Sequence, residues 1–144
     1  RNRLIAFTEY VTVDGSARAL DRSGNPIAGF PGRMARLRSS YRWNGWRIAL
    51  DGEYAGKQYV DNSRGTRSDG SPAPERIVEA FTLVHGSLSY EPHGRSVLDR
   101  LRFQVKVNNV FDRRVLRYGY MSASGPRFFP TATRHYFASI LYEL

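Results

Sequence analysis

At 144 residues the chain is long enough for one domain with its own core, or for part of something larger. Apolar residues make up 41% and charged residues 24%, which excludes global disorder, and the lack of cysteine excludes disulfides and thiolate metal sites. The net charge of +9 comes from 20 arginines and 2 lysines, scattered rather than in runs, so it raises nucleic acid, an anionic membrane surface or an acidic ligand without selecting one.

No window of about 18 apolar residues exists, so no membrane-crossing helix is expected. The chain starts at Arg1, already inside the apolar stretch "LIAFTEYVTV", as a fragment or a processed chain begins. It carries no signal-peptide pattern, and the compartment is left open.

Strand signals run along the chain. "RLIAFTEYVTV" (Arg3–Val13) is rich in β-branched and aromatic residues, and a Gly/Pro/Ser-bearing segment follows it. In Arg33–Trp43, Ala35, Leu37, Ser39, Tyr41 and Trp43 share one face, and Arg36, Arg38, Ser40 and Arg42 share the other. Asn44-Gly45 then tolerates the positive φ angles of a two-residue hairpin turn. The return strand, Trp46–Val60, sets Trp46, Ile48, Leu50 and Tyr54 against Arg47, Asp51, Glu53 and Lys57. A polar loop, "DNSRGTRSDGSPAPER", leads to a further strand over Ile77–Tyr90, where helix competes but Gly86 and the β-branched residues favour strand. After the short link "EPHGRSVLDR", "LRFQVKVNN" alternates from Leu101 with apolar Phe103, Val105 and Val107. A long Gly/Pro/aromatic loop reaches Thr133, and Arg134–Leu144 closes the chain.

The expected fold is therefore all-β: an antiparallel up-and-down meander of about six long strands whose connections alternate long and short. Strands of about 9–11 residues suffice to cross a bilayer when tilted. Transmembrane barrels keep short turns on one side and long loops on the other. Tyr41, Trp43 and Trp46 flank the Asn-Gly turn, and Tyr59 and Tyr90 sit at other strand ends, as an interfacial girdle requires. A soluble β-sandwich or small barrel that binds a ligand or acidic polymer has the same alternation, its arginines then lying on a solvated face. A basic nucleic-acid-binding β-domain would cluster its arginines beside exposed aromatics, whereas these spread over at least four strands.

The residues also carry a family resemblance. "VNNVFDRRV", a Tyr-containing loop and "RFFPTATRHYFASILYEL" resemble the C-terminal end of TonB-dependent outer-membrane receptors. In that family a strand runs into Asn-Leu-Phe-Asp-x-x-Tyr, and an external loop leads to a Pro-x-x-x-Arg that starts the last strand. Asn109-Val110-Phe111-Asp112 matches the first element with Val for Leu, and Pro130 and Arg134 match the second. "GNPIAGFPGRMARLRSSYRWNGWRIALDGEYAGKQYVDN" is similar to the family's Gly-x-x-Pro-x-x hairpin and Tyr-x-Asp-Asn strand exit. The order and spacing of these motifs is more specific than any one of them.

The resemblance implies an incomplete segment of a 22-stranded transmembrane barrel. Residues 1–144 would be the C-terminal part of the barrel domain, with the plug domain and the N-terminal barrel strands absent. Arg36, Arg38, Arg42, Arg47, Arg102 and Lys106 would project into the lumen. Tyr136, Ala138, Ile140, Tyr142 and Leu144 resemble the C-terminal signal read by the barrel-assembly machinery, with Leu where Phe or Trp is usual. The implied location is the bacterial outer membrane, in contact with its lipid and lipopolysaccharide. The implied function is import of a scarce ligand, a metal chelate of the siderophore-iron class, with energy coupled through TonB. The plug and TonB contacts would lie in parts outside this sequence. No cofactor and no nucleic acid are implied.

Catalytic patterns are missing. His85, His93 and His135 lack metal-ligand spacing, and no nucleophile elbow or phosphate-binding glycine loop occurs, so an enzyme is not expected. Asp51 and Glu53 read as a lumen pair balanced by Arg47 and Lys57. Ligand contact is expected in the last long loop, which holds Arg113, Arg114, Arg117, Tyr118, Tyr120 and Arg127. An Arg/Tyr mixture suits anionic, aromatic or metal-chelate ligands, through charge-assisted hydrogen bonds and stacking. The sharpest candidates are Arg117, Tyr118, Tyr120 and Arg127.

Overall fold

The computed structural model describes residues 2–92 and 100–142. Among them the strands are β1 (Thr8–Val13), β2 (Ser16–Asp21), β3 (Met34–Trp43), β4 (Trp46–Ala55), β5 (Gln58–Tyr59) and β6 (Ile77–Val78). They continue with β7 (Phe81–Tyr90), β8 (Leu101–Asn108), β9 (Leu116–Ser122), β10 (Gly125–Pro130) and β11 (His135–Tyr142). The chain divides into two compact units, one of Arg1–Met34, Ala55–Phe81 and Val115–Thr131 and one of Ala35–Tyr54, Thr82–Arg114 and Ala132–Leu144.

The second unit holds the five-stranded sheet, ordered β11-β8-β7-β4-β3, apart from the end residues Met34, Ala55 and Phe81. It is an open antiparallel meander, as the alternating sequence predicts. Asn44 and Gly45 take φ of 46° and 81°, which lets two residues reverse the chain with the twist that β3 and β4 need. Along the chain, short connections (the turn, and 91–100) alternate with long ones (56–80 and 109–134). The ten residues of β4 extend ~33 Å, and a tilt of about 45° brings that near the ~25 Å of an apolar bilayer band.

Pairing register sorts the side chains into two faces. Phe103, Val105 and Val107 of β8 stand opposite Ile140, Ala138 and Tyr136 of β11, and opposite Tyr90, Leu88 and Gly86 of β7. Trp46 meets Tyr90 on this same face, with ring centroids 4.6 Å apart. The face is uncovered: Leu37 is 76% exposed and Ile140 69%. Among the described residues of this unit no second layer closes over it, as a sandwich would demand.

The opposite face is polar. Ser87 and Ser89 stand opposite Lys106 and Gln104. Strand alternation puts Arg36, Arg38, Arg42, Arg47 and Arg102 on this face too. Asp51 does not pair with Arg47 as the sequence suggested. Its carboxylate takes Arg36 at 2.7 Å and Arg38 at 2.8 Å, because those residues lie across the hairpin on the neighbouring strand. Arg102 pairs with Glu91 at 2.9 Å; Lys57 belongs to the first unit and pairs there with Glu79 at 3.6 Å. His85 and His135, far apart in sequence, share Asn108: Oδ1 lies 3.2 Å from His85 Nδ1 and Nδ2 lies 3.0 Å from His135 Nε2. Among the described residues no acid/His cluster could hold a metal, and His93 lies outside them.

The first unit departs from the sequence reading. The expected opening strand forms only over Thr8–Val13, and its partner is Ser16–Asp21 rather than a strand of the meander. Asp14 and Gly15, with φ of 50° and 75°, make a second tight turn where an irregular segment was expected. The return strand stops at Ala55, and Gln58 and Tyr59 pair instead with Val78 and Ile77. Tyr59 therefore sits outside the five-stranded sheet and is no part of its aromatic rim. Val60, Ala73, Val78 and Phe81 supply the buried apolar residues here. The intervening polar loop is tied down: Arg76 Nη1 donates to Asp61 Oδ2 at 3.0 Å and to Thr66 O at 3.3 Å. Asn62 Oδ1 accepts from Ala28 N–H at 3.0 Å. Such partners replace the ladder bonds that an irregular segment lacks.

Candidate functional site

β8 ends because Asn109 takes a φ of 52°, a left-handed conformation that no strand continues through and that asparagine tolerates better than most residues. Its side chain is 2% exposed and fully engaged. Nδ2 donates to Arg113 O at 2.8 Å and to Ala132 O at 3.2 Å, while Oδ1 accepts from Arg113 N–H at 3.0 Å. Asp112, also at φ 52°, accepts the N–H of Arg134 on Oδ1 at 2.7 Å, and Arg134 Nη1 reaches Val110 O at 3.4 Å. The Asn-Val-Phe-Asp and Pro-x-x-x-Arg elements are thus two sides of one hydrogen-bonded corner.

Within the first unit, β9 and β10 form a hairpin closed by Ala123 and Ser124. Ser122 Oγ donates to Gly125 O at 2.7 Å across the turn. Tyr118 stands opposite Phe129 and Tyr120 opposite Arg127, so these four share a face. Tyr118 and Phe129 stack with centroids 4.4 Å apart and planes 11° from parallel. Tyr120 lies 5.9 Å from the same Phe129 ring. All three rings remain about half exposed: 45% for Tyr118, 47% for Tyr120 and 42% for Phe129. Arg127 Nη2 rests on Ser124 Oγ at 3.0 Å. The result is an accessible aromatic surface with a guanidinium beside it. Such a surface can stack on a flat ligand and grip an anionic one.

The other face of the hairpin is used structurally. Gly119 is buried; a Cβ there would lie 2.8 Å from Val60 Cγ1 and 2.7 Å from Phe128 Cδ1, so glycine permits the approach. Gln58 Nε2 donates to Arg117 O at 3.0 Å and Met121 N–H to Val60 O at 3.2 Å. Alternation sends Arg117 to this face, where it is engaged within the chain. Three of the four sharpest candidates therefore come together and Arg117 does not join them. Arg113 and Arg114 lie in the second unit. Phe129, which holds both tyrosine rings, was missed; the signal for it was the Ser-Ala-Ser-Gly turn that puts "RFF" opposite "YGY". Tyr136, Ala138, Ile140 and Tyr142 share the apolar face of β11, and Leu144 lies outside the described residues.

Residues 3–110 match the family described as TonB dependent receptor-like, beta-barrel. No curated protein matches the chain. Among solved structures it is similar to the ferric citrate transporter FecA in the unliganded form, with a TM-score of 0.65 and 21% identity over 87% of this chain and 19% of that one. It is also similar to the siderophore receptor PiuA from Acinetobacter baumannii, with a TM-score of 0.69 and 15% identity over 92% of this chain and 17% of that one. A third is the ferric-catecholate import receptor Fiu from E. coli K12 in its open form, at 0.58 and 19% over 95% and 18%. The chain spans about a fifth of the length of these structures, and at such identities the likeness is one of fold. With more than half of its residues matched by the family, the chain belongs to the TonB-dependent receptor-like β-barrels.

Proposed function

We propose that residues 1–144 are the C-terminal part of the barrel domain of an outer-membrane receptor. It imports a scarce ligand, a ferric chelate of the siderophore class, with energy coupled through TonB. The observation that carries this reading is the sheet with one uncovered apolar face and one charged face, in a chain of this family. Lipid is the medium that leaves such a face uncovered without cost, while water or a plug domain meets the other. The solved structures described above as similar to it are receptors whose names refer to ferric citrate, ferric catecholate or siderophores. Tyr136, Ala138, Ile140, Tyr142 and Leu144 serve as the signal to the assembly machinery.

Ligand contact is placed on Tyr118, Tyr120 and Arg127, with Phe129 as their support. Arg117, on the opposite face, adds positive charge to the same hairpin. Aromatic rings beside a cation complement a planar, anionic iron chelate.

The test uses the intact receptor in outer-membrane vesicles and radio-iron complexes of citrate and of a catecholate. Binding of one of these complexes is expected. Tyr120→Ala and Arg127→Ala should each weaken it roughly tenfold, the equivalent of ~1.4 kcal/mol. A receptor that binds neither complex sinks the ligand class. Full affinity in both variants sinks the hairpin as the contact.

A further inference from the structure

We propose that Asn109 closes the base of the segment that carries Tyr118, Tyr120 and Arg127, holding its two ends together without touching ligand; this rests on the function proposed above. Its amide grips both ends of that segment. One nitrogen binds the carbonyl of Arg113, where the segment begins, at 2.8 Å, and the carbonyl of Ala132, where it ends, at 3.2 Å. The amide oxygen takes the Arg113 N–H at 3.0 Å. Two donors on one atom and an acceptor on the other are all in use, in a side chain 2% exposed. Aspartate offers no donors at neutral pH and serine is too short, so asparagine is the residue this corner needs.

Two further ties act in parallel. Asp112 Oδ1 accepts the N–H of Arg134 at 2.7 Å. One step inside the segment, Thr131 N–H donates to Val115 O at 2.9 Å. A closed base limits the conformations available to the loop, so less ordering remains to be done when ligand arrives.

The experiment compares the intact receptor with Asn109→Gly and Asn109→Asp variants. Glycine keeps the positive φ and removes every side-chain bond. Aspartate keeps the acceptor and sets a carboxylate against two carbonyls. Hydrogen exchange of the amides over 115–131 is expected to speed up about tenfold in both, with the amides of β7, β8 and β11 unchanged. Affinity for ferric citrate, the probe, should fall several-fold in both. Unchanged exchange in both variants overturns the proposal, since the role would then be confined to the backbone turn. A rise spread over β7, β8 and β11 also overturns it, in favour of general destabilisation. The exchange result decides the clamp whether or not ferric citrate binds, so a failed ligand assignment is recognised separately.

Discussion

Arg36 grips Asp51 at two points, Nε on Oδ1 at 2.9 Å and Nη2 on Oδ2 at 2.7 Å. Arg38 adds a second guanidinium to the same Oδ2 at 2.8 Å. One carboxylate is thus shared by two cations, two residues apart on the polar face, and the cluster stays net positive. Both arginines are more than 60% exposed, and exposed pairs contribute little and are screened by salt. Asp51→Asn in the intact receptor should lower the temperature at which the folded gel band converts to the unfolded one by only a few degrees. The difference should shrink at high salt. Complete loss of assembled receptor would contradict this account.

The apolar face makes a stronger demand. Val105 lies opposite both Leu88 and Ala138, in the middle of the sheet's apolar face. An arginine at the bilayer midplane costs about 2–4 kcal/mol in a transmembrane barrel. Val105→Arg should cost that much in denaturant unfolding of the receptor from lipid vesicles. Gln104→Arg, one residue away on the polar face, should be close to neutral. Equal effects at the two positions would mean that the faces are wrongly assigned.

The hairpin offers a steric test. A Cβ at Gly119 would meet Phe128 Cδ1 at 2.7 Å, Val60 Cγ1 at 2.8 Å and Arg127 O at 2.9 Å. Because one of these is backbone, the strand itself must shift. Gly119→Ala should destabilise the hairpin locally by ~1–3 kcal/mol, the usual cost of overpacking. Faster protease cleavage within 115–131, with the rest of the receptor intact, is the expected reading. Unaltered cleavage would show that the approach to Val60 is not required.

Open edges set the behaviour of the isolated chain. β3 and β11 each have one neighbour in a five-stranded sheet, whereas the smallest bacterial barrels close with eight strands. Residues 1–144 expressed alone should aggregate unless detergent is present, through unpaired edges and the uncovered apolar face. A monodisperse monomer by size-exclusion chromatography without detergent would count against the barrel-wall reading.

The sequence by itself determined the β character, the meander, the Asn44-Gly45 turn and the split of residues such as Val105 and Lys106 between two faces. These follow from period-two alternation and turn chemistry, which act over a few residues and need no partner to be read. Tertiary structure decided which strands pair and which charges meet. Thr8–Val13 took Ser16–Asp21 as its partner, Asp51 took Arg36 and Arg38, and Phe129 came to stack on Tyr118 with Tyr120 nearby. Each of those outcomes depends on register between segments separated in the chain. Local preference does not fix register; it is settled when hydrogen bonds and packing across strands are satisfied together.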